Sequence, residues 1–251
     1  MPSANVPKIF NQRRRRLRFE RSKVLSQRPN AACWLDNDLI ADILDRIDFM
    51  RLSSGKCVVL GDLNETLAAH LNQLSFPVEQ HQIGSFNEEQ PWPLSCADYI
   101  FAIRTLSTLN DLPGALLHLR NALLDGGILF AQIIGAGSLP TLRSIMMEAD
   151  GDSPAARIHP QIDNQAASAL LARAGFSKQV VDSRSITVRF SSFDRMIGDL
   201  REQGLTGILN DCPPRLTKAA LARARKAFEA RRDDEGKVSE NFEILALTGW
   251  R

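Results

Sequence analysis

Between residues 38 and 50 the apolar positions Leu39, Ile40, Ile43, Leu44, Ile47 and Met50 recur at helical spacing, with Asp42, Asp45, Arg46 and Asp48 on the other face. Residues 56–60 follow as a short buried strand, and 64–74 as a helix turning Leu67, Ala68, Leu71 and Leu74 inward. Residues 76–83 alternate like a second strand, and 84–93 form a loop rich in Glu, Gln and Pro. The pattern then gives a strand at 97–103, a helix at 111–124 and, after Asp125-Gly126-Gly127, an apolar strand at 127–134. Helices are expected at 138–149, at 165–174 with Gly175 as its stop, at 193–203 before Gly204, and at 217–232. Strands are expected at 185–190 and 242–248. Strands alternating with helices predict an α/β three-layer sandwich around a mostly parallel sheet. Residues 1–55 form an N-terminal helical segment packing on a core built from 56–251.

Composition narrows the function classes only slightly. A chain of 251 residues can bury a sizeable core, and its net charge of +2 creates no strong field for nucleic acid or a membrane surface. No apolar run is long enough to span a bilayer. The four cysteines (Cys33, Cys57, Cys96, Cys212) and four histidines show no ligand spacing, so neither a metal site nor a disulfide framework is expected. Cys57 and Cys96 read as small apolar fillers in a reducing, cytoplasmic setting. The basic run Lys8, Arg13, Arg14, Arg15, Arg16 and Arg18 reads as a solvated helix face packing through Ile9, Phe10, Leu17 and Phe19, with an organellar transit segment as the alternative. Without interleaved aromatics and glycines it makes a poor nucleic-acid surface.

Several phrases carry a resemblance that covers nearly the whole chain. They are Ile9-Phe10-Asn11, residues 110–116 (NDLPGAL), Asp125-Gly126-Gly127, residues 135–139 (GAGSL), Arg173-Ala174-Gly175-Phe176, Val188-Arg189-Phe190, Asp199-Leu200-Arg201, and Phe242-Glu243-Ile244-Leu245 through Thr248-Gly249-Trp250. In these the sequence resembles the class I S-adenosylmethionine-dependent methyltransferase superfamily, in the branch of the complex I assembly-factor methyltransferase. The biotin-pathway carrier-protein methyltransferase is a more distant relative. The resemblance implies a Rossmann-like fold, S-adenosylmethionine as cofactor, and a donor site in the turn after the first strand.

That turn departs from the family's pattern. The methionine part of the donor needs bare backbone there, which is why such turns are glycine-rich. Here Gly61 is present, but Leu63 and Glu65 stand at the next two glycine positions. The turn Gly61, Asp62, Leu63, Asn64 and the loop residues Ser85 and Phe86 are the candidate cofactor-binding positions of a degenerate site. Asp62 or Glu65 would meet the donor's amino group, and Phe86 or Trp92 would stack on its base. In the plainer alternative Asn64 simply caps the next helix.

Two further departures accompany it. Positions 61 and 98 are 37 residues apart, too few for the two strands and two helices that the family places there, so the sheet is expected to be shortened in its first half. Glu79, inside its strand, is a poor candidate for the family's ribose-binding acid. Ile103, Ser107 and Thr108 stand where the branch carries acceptor-side residues, and a hydroxyl is a weak general base at neutral pH. No catalytic residue can be named. In the C-terminal half Arg189 is expected to pair with an acid such as Asp199, with substrate binding by these charged residues as the alternative, and Trp250 to plug the core.

The leading expectation is a methyltransferase-fold protein with lost or weakened donor binding that serves as a protein-partner or assembly factor, for a respiratory complex if the resemblance extends that far. The alternative is an active S-adenosylmethionine-dependent methyltransferase acting on a protein or small-molecule acceptor. A second copy of the chain is a further candidate partner, since a shortened sheet exposes an edge strand.

Overall fold

The computed structural model describes residues 6–92 and 95–251. Residues 1–5 of the basic N-terminal stretch and Pro93 of the Glu/Gln/Pro loop therefore lie outside the described residues.

The chain runs α1 (Gln12–Ser26), α2 (Trp34–Met50), β1 (Cys57–Leu60), α3 (Thr66–Gln73), β2 (Val78–His81), β3 (Ala97–Ile103), a 3-10 turn (Thr105–Thr108), α4 (Leu112–Ala122) and β4 (Leu123–Ile134). It continues through α5 (Pro140–Asp150), α6 (Asn164–Arg173), β5 (Lys178–Phe190), α7 (Phe193–Glu202), α8 (Lys218–Glu229) and β6 (Val238–Trp250). One six-stranded sheet has the order β2-β1-β3-β4-β6-β5. Its first four strands are parallel, whereas β6 runs antiparallel to both β4 and β5.

Apolar burial on both faces explains why β1 and β3 read as unbroken hydrophobic runs. Cys57 and Val59 of β1 and Tyr99, Phe101 and Ile103 of β3 turn toward a core shared with α2, α3, α5, α7 and α8. The intervening Val58, Leu60, Ile100 and Ala102 face a second core built with α4 and α6. Cys57 is an apolar filler, fully buried, and burial pushes its thiol up to about 12. Between β1 and β3 the described residues hold one helix and one strand, in keeping with the short interval in the sequence.

Several boundaries move, each for a physical reason. The helix expected through 124 ends at Ala122, because β4 begins at Leu123 and carries Gly126 and Gly127 across a register shift opposite Ala97 and Tyr99. A Cβ on Gly127 would lie 2.9 Å from the Asp98 carbonyl, so only glycine lets the strands approach there. β5 runs over Lys178–Phe190, well beyond the expected 185–190, since its polar residues sit on an exposed edge held by pairing with β6 rather than by hydrophobic alternation. The expected Arg189 to Asp199 pair is not made. Arg189 bonds Asp233 and Glu235, while Asp199 takes Arg195 at 2.6 Å and the Trp34 indole N–H at 3.4 Å. In the N-terminal segment Phe10, just before α1, and Phe19, within it, pack inward as expected, but Ile9 and Leu17 stay exposed.

Candidate functional site

In an open α/β sheet the ligand crevice lies beyond the carboxyl ends of the strands where the strand order reverses. Here that point lies between β1 and β3, whose ends at Leu60 and Ile103 open into a cavity of about 410 Å³. Residues from α1, the 3-10 turn, α5, α7 and the loops around 157–161 and 203–208 close it.

Gly61 ends β1 with φ +77, and its N–H donates to the His81 carbonyl at 3.0 Å. A Cβ added to Gly61 would lie 2.4 Å from Thr105 Cγ2 and 2.6 Å from the Ile103 carbonyl oxygen. A side chain at this position is therefore excluded by the chain's own 3-10 turn, while the glycine itself still borders the cavity. Thr105 is fully buried there, turned in by Arg104 at φ +57.

The rest of the turn is tied into structure. Asp62 is buried, and its two carboxylate oxygens accept the Thr66 and Ala68 N–H groups at 3.1 and 2.9 Å, capping α3. Burial pushes its carboxyl above the ordinary range against the pull of those N–H groups. The side-chain amides of Gln80 and Gln82 donate to its carbonyl at 3.2 and 2.9 Å. The cap expected of Asn64 is thus supplied by Asp62, and α3 starts at Thr66. Asn64 instead accepts a hydrogen bond from Ser26 on α1 at 2.7 Å. Leu63 is buried outside the cavity lining, and Glu65, at φ +60, faces solvent 3.4 Å from Lys23.

At the end of β2 the loop residues serve one another. The Ser85 hydroxyl closes a tight turn on Gln82, accepting at 3.0 Å and donating at 2.7 Å. Phe86 stacks on Trp92 at 5.1 Å between centroids, and His81 packs its ring against both. The faces expected to hold a base are occupied by each other. Over this loop lies α1, whose Arg16 Cγ would stand 2.4 Å from a Cβ on Gly84.

Arg15 is the strap that holds α1 in place. Its guanidinium is buried and forks onto Glu88 at 2.5 and 3.0 Å, while also donating to the Thr105 carbonyl at 3.0 Å and the Thr108 hydroxyl at 2.9 Å. The arginine run, expected to be a solvated face, is therefore buried at Arg15. The stripe Arg15, Phe19, Ser22 and Leu25, all buried at helical spacing along α1, is the sequence signal for it.

The cavity walls are mainly apolar, from Phe19, Leu142, Met146, Ile197, Leu200 and Phe242 among others. Five arginines reach them, and no carboxylate does among the described residues. Arg15 is neutralised by Glu88, Arg104 by Asp36 at 2.8 Å, and Arg157 by Asp150 at 2.6 Å. Arg18 and Arg201 have no side-chain partner among the described residues. Burial pulls His159 down to about 4, and its neutral Nε2 accepts the Ile208 N–H at 3.1 Å. Of the six sequence-picked positions, Gly61 alone lines the cavity. Asp62, Leu63, Asn64, Ser85 and Phe86 surround it without facing it.

No protein-family model matches the chain. Among curated proteins it is 27% identical over 154 residues to malonyl-[acyl-carrier protein] O-methyltransferase of Xylella fastidiosa, covering 61% of this chain and 51% of that protein. It is 25% identical over 186 residues to the mouse mitochondrial arginine-hydroxylase NDUFAF5, covering 72% of this chain and 54% of that one. The chain thus spans about half the length of these curated relatives. A provisionally assigned methyltransferase of Bacillus halodurans superposes with TM-score 0.52 at 11% identity, over 84% of this chain and 97% of that one. The chain thus has a methyltransferase-type fold and is similar to these relatives at 25–27% identity. Its sheet order and helical layers are Rossmann-like, as the sequence resemblance implied.

The superfamily's donor, S-adenosylmethionine, can be tested against these residues. Its methionine part would need the backbone of Gly61, which borders the cavity but is packed on its side-chain face by Thr105 and the Ile103 carbonyl. Its ribose would need a carboxylate at the end of β2, where His81 and Gln82 stand. Its sulfonium is cationic, and the charged side chains lining the cavity are all arginines. The residues present do not fit the donor.

Proposed function

We propose that this chain uses the methyltransferase scaffold for binding and does not transfer a methyl group from S-adenosylmethionine. The observation that carries this reading is the charge of the cavity, whose lining offers arginines and, among the described residues, no carboxylate to a cationic donor, alongside the packing of Thr105 and the Ile103 carbonyl against one side of Gly61. The strap from Arg15 to Glu88 holds that packing in place. An assembly or partner-binding role is the companion proposal, drawn from the resemblance to the complex I assembly-factor branch. Isothermal titration with S-adenosylmethionine and S-adenosylhomocysteine tests the reading. No saturable heat up to about 1 mM is expected, a limit equivalent to about −4 kcal/mol. A micromolar dissociation constant for either compound overturns it.

One observation favours a second reading, a working methyltransferase on a protein or small-molecule acceptor: the cavity does reach Gly61 and Ile103. Such an enzyme would have to move the 3-10 turn to admit the donor. It predicts transfer of a labelled methyl group to an acceptor, an outcome the first reading forbids.

A further inference from the structure

The cavity combines an apolar interior with two unmatched cations. Arg201 is exposed and Arg18 half-buried, which places both toward the opening, whereas the buried Arg15 is already paired inside. Phe242 and Leu200, by contrast, are almost fully buried and form part of the interior wall. A site of this kind favours a ligand with one charged end and a hydrocarbon body, because charge stays at the wet rim and only apolar surface is desolvated. The sign of that charge follows from the lining, where Arg18 and Arg201 meet no carboxylate among the described residues.

A cavity of about 410 Å³ falls within the range of small-molecule sites, so it admits a medium-length hydrocarbon chain with a small anionic head. Several polar groups of the wall are committed to the protein, although the buried Arg104 Nε has no partner. Gln203 accepts from Leu35 N–H at 3.0 Å, Ser22 donates to the Phe19 carbonyl at 2.8 Å, and His159 accepts from Ile208.

We infer that this cavity binds a single-chain anionic amphiphile, with its head at Arg18 and Arg201 and its tail against Phe19, Leu142, Met146 and Phe242. This deepens the binding role proposed above and rests on it, since a bound donor would compete for the same space.

Titration calorimetry of the full chain with decanoate, decyl phosphate and decanol is the test. One saturable site for at least one of the two anions is expected, at least tenfold tighter than decanol. Whichever anion binds better names the head group. Arg18→Gln with Arg201→Gln should weaken that anion tenfold or more, leave decanol and the melting temperature unchanged, and flatten the salt dependence. Met146→Trp, which fills the interior, should abolish binding of all three in a protein that still melts cooperatively. Absence of saturable anion binding, equal binding of decanol, or an unchanged anion affinity in the double arginine variant overturns the inference. None of these outcomes touches the donor reading, which fails on binding of S-adenosylmethionine or S-adenosylhomocysteine or on methyl transfer.

Discussion

Glu88→Gln is the sharpest perturbation of the closed site. Glu88 and Arg15 are 3% and 5% exposed, so the mutation leaves a guanidinium in the interior with no countercharge. Breaking a buried pair on one side costs about 3–5 kcal/mol. The glutamine oxygen still accepts one of the two bonds, which places the expected loss near 3 kcal/mol. Replacing both partners, Arg15→Met with Glu88→Leu, removes both desolvation penalties and leaves the Thr105 carbonyl and Thr108 hydroxyl without their donor. A loss of about 1–3 kcal/mol is expected for that pair, far below the sum of Arg15→Met and Glu88→Leu made singly. Urea unfolding followed by circular dichroism measures all of these. With a slope of about 2–3 kcal/mol per molar, 3 kcal/mol moves the midpoint by about 1 M. Additivity of the two single losses within about 0.5 kcal/mol would refute the coupling, and with it the strap.

Two other consequences are open to direct measurement. Asp62→Ala should cost about 1–2 kcal/mol and raise amide exchange at Thr66 and Ala68, since its carboxylate caps α3; an unchanged midpoint would return Asp62 to the list of free ligands. His159, held neutral by burial with its affinity for a proton lowered to about 4 from 6.5, makes the unfolded chain the better proton binder between those values. Stability should therefore be complete above about pH 6.5 and fall as pH drops toward 4, by up to about 3 kcal/mol. His159→Gln should flatten that slope, and an identical pH profile in the variant would contradict the assignment.

Much of the scaffold is legible in the sequence because it rests on local pattern. The buried runs 57–60 and 97–103, the inward stripe of α2 and the stops at Gly175 and Gly204, both at positive φ, follow from periodicity and turn chemistry. The site is legible only in part. Gly61 marks the right crevice, yet the side chain packed against it, Thr105, comes from a different strand end and carries no motif. Bulk at Leu63 and Glu65 pointed toward a closed site, but one side chain is buried outside the cavity and the other faces solvent. The identity of the packed residue depends on which turn the sheet order places beside β1. Arg15 was hidden in the same way, as one arginine of four whose burial depends on Glu88, 73 residues further on.

The central claim is that the donor does not bind in the arginine-lined crevice where Thr105 and the Ile103 carbonyl pack against Gly61. Crystals grown in millimolar S-adenosylhomocysteine measure this most directly. The account predicts Thr105 Cγ2 in van der Waals contact with the Gly61 backbone and no density for the compound there; adenosine and homocysteine density at the end of β1, with the 3-10 turn displaced, would contradict it.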